Sequence, residues 1–162
     1  MTHDNTRLTT LAKFVSPYGP IVKSFKQLTI AQRSAIIVYM ADGAWASTVK
    51  EVPAGVKRLL ALDEVFVKAH GTVQFGVVNI PPLVIKKALA QTESWIAAEY
   101  GDVGAYFKRN PESSRRYPSN DWPVILSHGD ADFREELIQD GWHRLNVYIH
   151  RGIERIPCIY YI

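Results

Sequence analysis

Residues 125–162 read ILSHGDADFREELIQDGWHRLNVYIHRGIERIPCIYYI, and this stretch decides the fold. An apolar strand at 123–127 runs into the turn residues His128-Gly129-Asp130. A second strand is expected at 133–139, with Phe133, Leu137 and Ile138 available for burial. Asp140-Gly141 then makes a sharp turn, a helix spans 142–151 and stops at Gly152, and 153–162 closes as a strand. The free N–H groups that open a helix carry partial positive charge and attract anions. Gly141 lets a ligand approach the backbone, Arg144 offers a planar fork suited to phosphate, and His143 adds a donor or a proton carrier. Gly141, Trp142, His143 and Arg144 therefore form a candidate phosphate cradle. The plainer alternative is a common Asp-Gly turn followed by a solvated arginine.

Working outward, 72–80 (TVQFGVVNI) is rich in β-branched residues and reads as a strand. Pro81-Pro82 opens a helix in which Ile85, Leu89 and Ile96 share a face, with Trp95 beside them and Gly101 at its end. Residues 104–120 (GAYFKRNPESSRRYPSN) are polar and interrupted by proline, and read as a long loop. Earlier in the chain, a short helix at 8–14 is ended by Ser16-Pro17. Thr29 and Gln32 have capping-box spacing ahead of a helix at 30–41. Pro53 to Gly55 breaks the chain before a further helix at 56–62. The fold class is α+β: a small mixed sheet with packed helices over 71–162, preceded by a helical N-terminal extension over 1–70.

A chain of 162 residues has room for one domain with an extension, and 47% hydrophobic with 22% charged residues excludes disorder throughout. The single cysteine, Cys158, excludes an internal disulfide and a multi-cysteine zinc site. A net charge of +3 permits a nucleotide or nucleic-acid partner without demanding one. No secretory signal and no membrane span are legible, which makes the cytoplasm the expected location. Neither a Walker-type loop, a nucleophile elbow nor an H-E-x-x-H motif occurs.

Two other groups of residues bear on chemistry. Lys108, Arg109, Arg115 and Arg116, set against Glu112, give their segment a net +3, equal to the excess of the whole chain. Tyr106, Phe107 and Tyr117 interleave with them, a combination suited to stacking on bases and neutralising a nucleic-acid backbone. A solvated loop is the alternative. Hydrolysis would also need carboxylates to hold a divalent metal or orient water. Asp140, beside the phosphate turn, is the first choice, with Asp130 as a second metal ligand; Asp130 and Asp132 would share a strand face. Glu135 and Glu136 read as charge on an exposed strand edge.

The run IQDGWHRLNVYIHRGIERIPCI, at 138–159, resembles the phosphate-binding segment of the ParB/sulfiredoxin superfamily, where a G-x-H-R or D-G-x-x-R turn leads into a helix and a final strand. PVILSHGDADF resembles the preceding hairpin of that family, and a looser likeness reaches back to VVNIPPLVI, so the resemblance spans 73–162. It implies a ParB/sulfiredoxin-like core that binds the phosphates of ATP, another nucleotide or DNA. ATPase activity, metal-dependent DNase activity with Mg²⁺ or Mn²⁺, or both would follow, with Asp140, His143 and Arg144 as the catalytic residues. Small members of the superfamily include plasmid fertility-inhibition factors, which block conjugative DNA transfer and could engage a partner protein. Sulfiredoxins carry their catalytic cysteine where this chain has Trp142, so sulfinic-acid reduction is not implied. A non-enzymatic DNA- or protein-binding regulator that keeps the cradle, and a serine-type small-molecule kinase, are the alternatives.

Overall fold

The computed structural model describes residues 9–41, 72–92, 95–109 and 120–162. In chain order these form α1 (Leu11–Val15), β1 (Ile21–Ser24), α2 (Ile30–Ala41), β2 (Gln74–Ile80), α3 (Pro82–Ala90), α4 (Trp95–Tyr100), α5 (Val103–Arg109), β3 (Val124–Leu126), β4 (Ile138–Asp140), α6 (Trp142–His150) and β5 (Ile156–Tyr161). The break at 53–55 and the helix at 56–62 lie outside the described residues.

Five strands make one mixed sheet in the order β1-β2-β5-β3-β4. All neighbouring pairs are antiparallel except β3 with β5. That parallel pair needs a crossover, and α6 supplies it by carrying the chain from edge strand β4 back to the interior of the sheet.

Side-chain alternation along the strands divides the apolar residues between two faces. Val78 and Ile80 of β2, Val124 and Leu126 of β3, and Ile156 and Cys158 of β5 point to one face. There they pack with Leu11, Ile85, Leu89, Ile96, Tyr106, Leu145 and Tyr148 from the helices. Phe75, Ile125 and Ile159 point to the other face and meet Phe25, Leu28, Ile36 and Ile37. The result is a layered α+β molecule with α2 on one side of the sheet and the other described helices on the opposite side. At the Gly76↔Tyr160 cross-strand pair, a methyl group on Gly76 would collide with the Tyr160 ring, so the aromatic face lies directly on the bare backbone.

Several expectations hold in detail. The helix at 30–41 forms with both reciprocal capping bonds, Gln32 N to Thr29 Oγ1 at 3.2 Å and Thr29 N to Gln32 Oε1 at 2.9 Å. Ile85, Leu89 and Ile96 are all buried, although the chain divides between α3 and α4 where one helix was expected.

Three expectations are corrected. The part of the expected loop up to Arg109 is helical: Asp102 Oδ1 accepts from Ala105 N at 2.6 Å and starts α5, and the part at 110–119 lies outside the described residues. The strand expected at 133–139 is confined to Ile138–Asp140. Asp132 accepts hydrogen bonds from Arg134 N, Nε and NH2, closing a turn where an extended chain was expected, and this removes the shared strand face of Asp130 and Asp132. Residues 9–41 also supply more than helices. β1 adds an edge strand to the sheet, and Leu11 and Val15 enter the larger core. The boundary expected at residue 71 lies outside the described residues.

Candidate anion-binding site

The approach to α6 is shaped by an irregularity in its preceding strand. β4 pairs with β3 through Leu126↔Ile138 and then Ile125↔Asp140, so β4 carries one residue more than its partner over this step. Such a bulge bends an edge strand and re-aims its side chains. Tyr39 of α2 donates to Gln139 Oε1 at 3.1 Å, which ties the bulge to the layer beneath. Burial raises the pKa of the Tyr39 hydroxyl, and the carboxylates of Asp140 and Glu136 raise it further.

Gly141 follows with φ +98°, a left-handed conformation that costs a side-chain-bearing residue strain, and it caps α6 without any side-chain hydrogen bond. A Cβ at Gly141 would fall 2.9 Å from the Arg144 guanidinium. The close approach that glycine permits is therefore used by the chain's own cation. Arg144 is neither a solvated helix residue nor an outward-facing fork. Its side chain is 4% exposed, Nη2 donates to Pro123 O at 3.1 Å, and the guanidinium carbon lies 5.9 Å from the Trp122 ring centre.

Asp140 Oδ2 faces that guanidinium at 3.6 Å, an ion pair too long for a hydrogen bond. Neither Asp140 Oδ2 nor Arg144 Nε has a hydrogen-bond partner, although both atoms are buried. A buried polar atom left in this way costs about 1–3 kcal/mol. The helix start contributes about +0.5 charge, and Arg144 and Asp140 contribute opposite full charges. The opening of α6 thus retains a modest positive field.

Trp142 is half-buried and meets Tyr106 edge-on, with ring centres 6.4 Å apart. His143 is exposed, and its Nδ1 shares a hydrogen bond with the Tyr106 hydroxyl at 3.3 Å. Nε2 therefore lies on the opposite side of the ring from that bond. No family model, curated protein or solved structure matches the chain.

The remaining candidates separate. Asp130 is 93% exposed on its turn, with His128 Nδ1 at 3.9 Å. Among the described residues, no three His, Cys, Asp or Glu side chains gather closely enough to hold a metal ion. Asp140 is directed at Arg144, while Asp130 stands on the separate turn at 128–130. Lys108 and Arg109 are exposed in the last turn of α5, where cations suit the negative end of the helix dipole. Arg115 and Arg116 lie outside the described residues. Tyr106, expected to stack on bases, is 1% exposed and belongs to the core. No helix among the described residues is long and apolar enough to cross a membrane.

Sequence reasoning missed the residues that hold the site together. Tyr39, Trp122 and the Pro123 carbonyl act at separations that no local pattern displays. Tyr106 was visible as an aromatic residue, but its pairing with His143 spans 37 positions.

Proposed function

We propose that the chain binds phosphate, on a nucleotide or a nucleic-acid backbone, at the start of α6. The observation that carries this reading is the buried Arg144 guanidinium, with Nε unsatisfied, lying 2.9 Å from where a Cβ on the N-cap residue Gly141 would stand, at the positive end of α6. In this reading the amides of 142–144 and His143 Nε2 meet the anion. Arg144 acts from beneath as a fixed positive charge and as a positioning residue for the turn. Arg109, from the same basic cluster of the sequence as Arg115 and Arg116, would extend the contact to a longer polyanion. The resemblance to the ParB/sulfiredoxin superfamily rests on the same residues and makes ATP and DNA the first ligands to test.

The experiment is an amide-shift titration of the full chain with inorganic phosphate, then with ATP. Saturable shifts centred on 142–144, weakened several-fold in His143→Ala with an unchanged melting temperature, support the reading. Shifts scattered over the surface, or none, overturn it.

A second reading, a regulator that binds phosphate without hydrolysing it, is favoured by the scattered acidic side chains. A divalent ion such as Mg²⁺ or Mn²⁺ would then arrive with the nucleotide, held mainly by its phosphates. ATP turnover or DNA cleavage by purified protein, lost in His143→Ala, would favour the hydrolase. Binding without turnover would favour the regulator.

A further inference from the structure

We propose that a second groove, at the opposite end of α6, binds a small amphipathic anion: an apolar body ending in one carboxylate. The groove lies where α3, α4 and α5 meet Ile149 and His150, and its volume of about 600 Å³ falls within the range of small-molecule sites. Leu89, Val103 and Ile149 supply apolar wall.

The polar groups around it are unbalanced in charge. Lys86 and Lys108 stand at the rim, exposed, and form no ion pair or side-chain hydrogen bond among the described residues. Asp102 is the one carboxylate among the lining residues; its Oδ1 accepts from Ala105 N at 2.6 Å, and its charge offsets one of the two lysines, so the rim keeps an excess of one positive charge. Backbone acceptors at the adjoining helix ends are also engaged. Thr92 Oγ1 donates to Leu89 O at 2.9 Å, and Arg151 N donates to Val147 O at 2.9 Å. An apolar cleft with uncommitted cations and engaged acceptors is complementary to an apolar ligand with an anionic end. Lysines are mobile point charges, and this groove has no guanidinium fork among its lining residues, so a single carboxylate fits better than a phosphate.

Decanoate and the neutral decanol serve as probes, titrated into the full chain while the amides of Gly101 and Gly104 are followed. Decanoate should bind saturably. The double variant Lys86→Glu/Lys108→Glu, altered at two exposed positions, should weaken decanoate about tenfold, equivalent to about 1.4 kcal/mol, and leave decanol unchanged. Ala90→Phe, which fills the groove from an exposed helix position, should abolish both. The proposal is overturned if wild-type protein does not bind decanoate, if the charge variant binds it as tightly, or if decanol weakens equally. Retained binding in Ala90→Phe would also overturn it. Inorganic phosphate should not compete, which separates this groove from the start of α6.

Discussion

Two of the three longest described helices, α2 and α6, begin in different ways. α2 is closed by its own sequence: Thr29 and Gln32 exchange hydrogen bonds across the first turn, and Ile30 stands in solvent. α6 begins at a left-handed glycine, an N-cap residue that has no side chain to offer, and a buried guanidinium is brought to it from within the same helix. A helix start needed only for stability is satisfied most cheaply by a local cap. Under the proposed function, the α6 start, whose N-cap residue has no side chain, is completed by an anion instead.

The comparison is broken most severely at Arg144. Arg144→Ala leaves Asp140 and the Pro123 carbonyl without their partner and should cost roughly 2–4 kcal/mol in urea unfolding. Little loss would mean that the cation is incidental. Gly141→Ala imposes a side chain at φ +98° and on the guanidinium; a loss of about 1–3 kcal/mol is expected, with phosphate binding reduced as Arg144 is displaced. Thr29→Ala should cost about 1 kcal/mol, and phosphate binding should not change. A change in binding would show that the two starts are not independent.

The smallest effect lies where the layers meet. Burial, with a smaller contribution from neighbouring Tyr39, pushes the Tyr161 hydroxyl up to about 12. The unfolded chain releases this proton first, so its contribution is fully present below about pH 10 and is lost as pH rises towards about 12. Melting temperature followed across that window should fall less steeply in Tyr161→Phe than in wild type.

Elements governed by local chemistry were legible in the sequence. Thr29 and Gln32 announce α2 at its first residue, and Gly152 marks the end of α6 within one position. The β-branched run at 72–80 and the closing strand needed only their composition. Misreadings arose where a nearby polar contact overrode pattern. The Asp132–Arg134 pair folds a segment whose apolar residues suggested a strand, and the capping of α5 by Asp102 was obscured by the prolines that follow it. The candidate site was visible as residue types but not as geometry. Arg144 is buried because Pro123, 21 positions earlier, supplies its acceptor, and nothing within the Gly141–Arg144 run reports that contact.

β5 sits between β2 and β3, yet it follows every other strand in the chain. Vectorial synthesis can therefore produce two separate hairpin-like halves, β1 with β2 and β3 with β4, before the strand that joins them has emerged. Until residues 156–161 insert, each half presents an unpaired inner border able to recruit a strand from another molecule. Folding yield should accordingly depend on how promptly that last piece is delivered, and a holdase that shields the open borders should raise it.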